Sequence, residues 1–250
     1  MRTIVVSDIH GQPFLLENAL KHSQFDKDKD QLVFAGDFCD IGEDSLRVLQ
    51  ILEDNKAVIV IGNHEYSHCI QYAITPYDSS LDTDEIISSW CKKILNKEWI
   101  FAYTVDDFLI THAGISNILG LVLLKDNVNS VADEINRRFF GTIGSNGQHL
   151  TVLGYNYLHY VDQGSPIWYR PDFEYFEYVD NEKLFPFLPA NFKQVTGHTP
   201  SFIYSDEEQE ALESWDFYMI DPFARGNMDK ESYCKYAVIE DNEIDIVTNR

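Results

Sequence analysis

Basic residues are scarce in this 250-residue chain: 19 lysines and arginines stand against 41 aspartates and glutamates, a formal charge of −22 at pH 7. Such a surface repels a phosphate backbone, which argues against nucleic acid as a partner. It also raises a difficulty for any anionic small ligand, which needs a local positive centre inside a negative field. Long apolar runs are missing too. "MRTIVVSDIHG" offers only a few apolar residues before Asp8, and no later run reaches membrane length, so the expectation is a cytoplasmic protein with no membrane partner. Cysteine is confined to Cys39, Cys69, Cys91 and Cys234, far apart and without C-x-x-C spacing, which fits reduced core thiols rather than a disulfide frame. There is no internal repeat and no linker-like tract. Residues 1–250 are therefore expected to form a single domain, of open oligomeric state, since this length suffices for one α/β core.

The first half alternates strand-like and helical patterns. "RTIVVS", "QLVFAG" and "KAVIVIG" read as strands, separated by the amphipathic "PFLLENALKHS" and "EDSLRVLQILED". That βαβαβ order implies parallel neighbours buried on both faces, which is why these strands are continuous apolar runs. Further on, "DEIISSWCKKIL" and "VNSVADEINRRFF" read as helices, and "EWIFAYTV" and "FLITHAG" as a hairpin turning at Asp106 and Asp107. "FKQVTGHT", "SFIYS", "WDFYMID", "CKYAVIE" and "EIDIVT" close the chain as strands, with "DEEQEALE" an acidic loop or short helix. The stretch 155–192 is aromatic and irregular; a substrate wall or cap, a piece of core and a dimer patch all fit that composition.

Polar groups gather at the ends of the apolar runs. "IVVSDIHG" delivers Asp8 and His10, "LVFAGDFCD" Asp37 and Asp40, "VIVIGNHE" Asn63 and His64, "FLITHAG" His112, and "KQVTGHT" His198. In open α/β sheets that edge is where ligands bind. Gly36, Gly62 and Gly197, each one residue ahead of the polar group, are expected to let the backbone turn sharply and approach a ligand. Aspartate, asparagine and histidine without cysteine suit Mn, Fe, Zn or Co, and there are more donors than one ion needs. Two divalent metal ions about 3.5–4 Å apart would use them, and would supply the positive centre that the net charge denies.

The blocks D-x-H-G, G-D-x-x-D, G-N-H-E, H-A-G and G-H-T, in this order, resemble the calcineurin-like metallophosphoesterase family, closest to its serine/threonine-type protein phosphatases and their bacterial relatives. The resemblance implies a four-layer α/β/β/α sandwich and hydrolysis of a phosphorylated substrate, small molecule or phosphoprotein. Asp8, His10 and Asp37 would hold the first metal, with Asp37 bridging; Asn63, His112 and His198 would complete the second. His64 would protonate the leaving group and Asp40 would orient it, as an imidazole fixed by a carboxylate is suited to do. Glu65 would support the backbone or a ligand.

Two residues depart from the pattern. Where the phosphatases read G-D-x-x-D-R-G, this chain has "GDFCDIG", with Ile41 in the place of a phosphate-gripping arginine. Arg170, in "PIWYRPD", resembles a second family arginine and joins Asn63 as a candidate substrate contact; a surface arginine stacked on aromatics is the plain alternative. Asp221 is followed by Pro222 where relatives have glycine, so it is expected to cap a loop. Pro200 stands where the nuclease-like branches carry a second histidine, which favours a phosphatase. His22, His68, His149 and His159 read as ordinary histidines. The functional expectation is phosphomonoester hydrolysis, with dinucleoside polyphosphate hydrolysis as one alternative and a non-catalytic metal-binding scaffold as another.

Overall fold

The computed structural model describes all residues except 124, 126, 153–164, 173–175, 179–181, 185–187, 224–229 and 250. Its framework is the expected βαβαβ unit. Strands β1 (Thr3–Val6), β2 (Gln31–Phe34) and β3 (Val58–Val60) pair in parallel, joined by helices α1 (Pro13–His22) and α2 (Ser45–Asp54). Pro13 opens α1, where its missing N–H costs nothing, and the Asp44 side chain caps α2 by accepting from Arg47 N–H. Strand β4 (Trp99–Ile100) adds beyond β3, and β13 (Cys234–Glu240) and β14 (Glu243–Asn249) add antiparallel beyond β1. The resulting order is β14-β13-β1-β2-β3-β4.

A second sheet has the order β12-β11-β6-β5, from β5 (Tyr103–Val105), β6 (Phe108–Ile110), β11 (Lys193–Thr196) and β12 (Phe217–Met219). Alternation along the strands explains how the sheets stack. Val5, Val33 and Val60 on one sheet face Phe108, Ile110 and Val195 on the other. On the outer face of the large sheet, Ile4, Val6 and Phe34 pack with Leu15, Leu16, Val48 and Leu52 of α1 and α2 and with Trp90 and Ile94 of α4 (Asp84–Leu95). Helix α6 (Val128–Thr142) lies along β5 and β6, and α7 (Asp206–Ser214) places Leu212 against Phe217 and Met219. The layers run α/β/β/α, as the resemblance implied. The remaining elements are α3 (Asn63–Ile70), α5 (Asn117–Leu123) and the hairpins β7–β8 (Ile143–Ser145, Leu150–Val152) and β9–β10 (Phe176–Tyr178, Glu182–Leu184).

Two segments differ from expectation, and a third, left open between loop and short helix, is decided. "EWIFAYTV" is two strands: Trp99–Ile100 completes the large sheet, and Tyr103–Val105 begins the small one and turns through Asp106 into β6. Buried Phe101 and Ala102 make the crossing, their N–H groups taken by the Asn136 side chain of α6. "SFIYS" forms a 3-10 turn over Ser201–Ile203 instead of a strand. "DEEQEALE" is helical because Ser205 and Glu208 cap its start reciprocally. Much of 155–192 lies outside the described residues, and with it the expectation of a wall or cap.

Candidate active site

All five strand ends meet. β1 leads to Asp8 and His10, β2 to Asp37 and Asp40, β3 to Asn63 and His64, β6 to His112 and β11 to His198, and every one of these side chains is buried. The loops prolong the ladders: Asp8 N–H donates to the Gly36 carbonyl at 2.9 Å, His10 N–H to Asp37 at 2.9 Å, and Gly197 N–H to His112 at 2.8 Å. Under that constraint Asp8, His10, Asp37, Asp40, Ile41 and His198 take φ values between 46° and 66°. Such left-handed conformations cost non-glycine residues about 1–3 kcal/mol each and cluster at functional sites.

The surroundings hold them there. The Glu65 carboxylate accepts N–H bonds from Asp37 at 3.0 Å, Phe38 at 2.7 Å and Gly62 at 3.0 Å, so it splices the loop after β2 to the start of α3. This is the backbone support expected of Glu65. The glycines act differently from expectation. Only Gly36 has a positive φ, whereas a Cβ on Gly62 would stand 2.0 Å from Asp37 Oδ1 and one on Gly197 1.9 Å from Asp8 Oδ2. Those two make room for carboxylates.

The donor set converges in a way internal hydrogen bonding does not explain. His112 Nδ1 donates to the Ala35 carbonyl and His10 Nδ1 to the Cys39 carbonyl, both at 2.8 Å, which turns each Nε2 inward. His112 Nε2 then lies 2.8 Å from Asn63 Oδ1 and 3.2 Å from Asp37 Oδ2. His198 Nδ1 is 3.1 Å from the same Asn63 oxygen, and His10 Nε2 is 3.6 Å from Asp37 Oδ2. In His112 and His10, where Nδ1 already donates, Nε2 brings a lone pair toward these oxygens, an arrangement that only a proton or a cation makes favourable. His198 Nε2 is moreover buried with no hydrogen-bond partner among the described residues. Two groups of potential ligands form here, His10 with Asp37 and His64, and Asp37 with His112 and His198, and Asp37 is common to both.

The charges point the same way. Burial lowers His112, but Asp37, Asp8 and the bond to the Ala35 carbonyl together outweigh it and bring the imidazole up to about 10. His10 falls to about 4 through burial. Burial and the neighbouring Asp221 push Asp8 well above the usual carboxylate range. The cluster thus demands positive charge, which divalent ions would supply with the imidazoles neutral.

Next to the cluster, His64 Nδ1 is 2.5 Å from Asp40 Oδ2, and the His64 N–H donates to Asp37 Oδ1 at 3.0 Å. The His64 ring stands edge-on to His10 at 4.7 Å. The imidazole and the carboxylate expected to serve as leaving-group acid and its orienter are therefore paired at the edge of the cluster.

A family profile described as calcineurin-like phosphoesterase matches residues 1–217. The chain belongs to this family. Among curated relatives, the symmetrical bis(5'-nucleosyl)-tetraphosphatase of Coxiella burnetii is 34% identical over 100 residues, covering 39% of this chain and 34% of that protein. The serine/threonine-protein phosphatase 1 of Salmonella typhimurium is 44% identical over 61 residues, 24% of this chain and 28% of that one. The matched stretch thus spans about a third of the length of these relatives. In fold, the cold-active protein-tyrosine phosphatase of a psychrophilic Shewanella superposes with a TM-score of 0.61 at 18% identity, over 100% of this chain and 80% of that one.

The chain's departures from the family pattern can now be placed. Ile41 is half exposed at φ 61°, an unusual conformation for a β-branched residue. Arg170 is exposed, has no ion-pair partner among the described residues, and is among the charges felt by His198; Trp168 stands edge-on to His198 at 5.9 Å. Asp221 does cap its loop, accepting Phe223 N–H at 2.8 Å, but it is also buried beside Asp8 and pushed by that burial to about 7. Its place at the end of the strand-like "WDFYMID" was the signal in the sequence. His22 lies on α1 and bonds Tyr236, and His149 is partly buried in the β7–β8 turn; His159 lies outside the described residues. His68, expected to be a surface or core histidine and not a ligand, is buried and bonded on both ring nitrogens. Its Nε2 is 2.9 Å from Asp40 Oδ1. No helix among the described residues is long and apolar enough to cross a membrane.

Proposed function

We propose that this phosphoesterase hydrolyses phosphomonoesters with two divalent metal ions (Mn, Fe, Zn or Co), Asp8, His10 and Asp37 holding one and Asp37, Asn63, His112 and His198 the other. The ions would attract the phosphoryl group and activate water. Asn63 is a neutral oxygen donor, so it adds a ligand without cancelling that charge. Arg170, whose charge is felt by His198, is the phosphate contact available once Ile41 has replaced the family arginine. The observation that carries the reading is the His64–Asp40 pair at 2.5 Å. Asp40 fixes the proton on His64 Nδ1, and His64 Nε2, 3.9 Å from Asp37 Oδ2, looks toward the reacting centre. An alkoxide leaves poorly without a proton, so such a pair has most to do on an alkyl phosphate.

A second reading, hydrolysis of dinucleoside polyphosphates, is favoured by the tetraphosphatase relatives. A nucleotide leaving group is already a stable anion and needs the acid less. His64→Ala separates the two: kcat on an alkyl phosphate should fall by roughly 10²- to 10⁴-fold, while p-nitrophenyl phosphate falls much less. Equal losses on both would remove the acid assignment. Turnover of dinucleoside polyphosphates well above that of any monoester would move the substrate to the second reading. Bound metal without turnover of either class would support a scaffold.

A further inference from the structure

Behind the His64–Asp40 pair stands a second one that phosphoester hydrolysis does not itself require. His68 follows His64 by one turn of α3 and so lies on the same helix face. It is buried, with Nε2 2.9 Å from Asp40 Oδ1 and Nδ1 2.8 Å from Asp82 Oδ1. Carboxylate oxygens only accept, so both ring nitrogens donate, and only the imidazolium carries two N–H groups. His68 is therefore a buried cation. The segment between α3 and α4 closes over it: Tyr77 stacks on the imidazole at 4.3 Å and its hydroxyl donates to Asp82 at 2.8 Å, while Asp78 N–H donates to Asp40 Oδ1 at 2.8 Å. Trp90 of α4 meets the ring edge-on at 5.8 Å.

Core packing does not explain this choice. An apolar residue would fill the same space without the cost of taking an imidazolium and a carboxylate out of water. What the charge adds is direction. Asp40 Oδ1 is occupied by His68 and Asp78, which leaves Oδ2 for His64. The Cys39–Asp40–His68 trio is thereby a hydrogen-bonded network and not a metal site, because both Asp40 oxygens are engaged and burial keeps the Cys39 thiol protonated.

We propose that His68 is a positioning residue for phosphoester hydrolysis, an imidazolium that clamps Asp40 by one oxygen so that the other stays on His64, and that transmits this hold to Asp82 and Tyr77. The proposal rests on His64 being the leaving-group acid. Losing a partner that orients a functional group typically costs roughly 10- to 100-fold, and the loss should be confined to substrates that need the acid.

The test uses His68→Leu, His68→Gln and Asp82→Ala in the metal-loaded full chain, with metal content measured for each, on an alkyl phosphate and on p-nitrophenyl phosphate. His68→Leu should lower kcat on the alkyl phosphate by roughly 10- to 100-fold with KM unchanged, and leave p-nitrophenyl phosphate nearly untouched. His68→Gln, whose amide can still donate to Asp40, should recover most of that loss. Asp82→Ala changes a half-exposed side chain and tests the same link without emptying the core; it should show a smaller loss with the same selectivity. In a His64→Ala background His68→Leu should add nothing. Equal losses on both substrates, or selective loss in His64→Ala with none in His68→Leu and Asp82→Ala, would overturn the proposal and leave the acid in place. No selectivity in His64→Ala itself would remove both.

Discussion

At the scale of single residues, the site is built by backbone conformations that side chains disfavour. Asp8, His10, Asp37, Asp40 and His198 sit in the left-handed region because their loops are hydrogen-bonded on both sides and cannot turn the side chains inward otherwise. Gly62 and Gly197 then clear the space these carboxylates fill. Gly62→Ala would drive a methyl to 2.0 Å from Asp37 Oδ1, so the carboxylate shared by both ligand groups must move. Metal affinity should weaken by roughly 10- to 100-fold, with a smaller change in unfolding free energy; calorimetric titration with Mn checks it, and wild-type affinity would show that Asp37 does not hold the metal. The candidate ligand residues were legible in the sequence because each is tied to a strand end. The reason for each glycine was not, since the clash partners Asp37 and Asp8 are distant in the chain.

At the scale of elements, α3 combines three roles on one short helix: Asn63 and His64 at its first turn face the site, Glu65 binds the β2 loop, and His68 grips Asp40. Its stability should follow the charge on His68. Burial lowers that imidazole, but the bonds to Asp40 and Asp82 prevail and raise it above its usual 6.5. A group raised in the folded state stabilises most below its unfolded value and loses that contribution as pH climbs through the raised one. The stability advantage of the wild type over His68→Gln, from urea unfolding of metal-free protein, should be largest below pH 6.5 and shrink toward alkaline pH. A pH-independent difference would mean that His68 is neutral. Element types were largely readable from apolar periodicity. The division of "EWIFAYTV" between two sheets was not, because period-2 alternation says nothing about which sheet a strand joins.

At the scale of the whole molecule, a net charge of −22 surrounds a site proposed to take anions. Two divalent ions would reverse the potential locally, yet an approaching phosphate still crosses the negative outer field. The expected outcome is unusual for a phosphatase substrate: kcat/KM for a multiply charged phosphate should rise as ionic strength goes from about 10 mM to about 150 mM, where the screening length shortens from roughly 30 Å to 8 Å. A fall over that range would show that local attraction governs encounter. For a singly charged ester the change should be smaller.

The sequence by itself determined the strands, their parallel order and the polar groups at their ends, because burial on both faces and delivery at a strand terminus leave local, readable patterns. The family resemblance implied that the five ends share one site and that Asp37 bridges it; the tertiary structure brings them together with Asp37 in both groups, and it alone placed Asp221 beside Asp8. It alone promoted His68 from an ordinary histidine to a charged clamp. The physical reason is common to these cases: a carboxylate's partners are chosen by packing across two sheets and a helix, and distance along the chain carries no record of that choice.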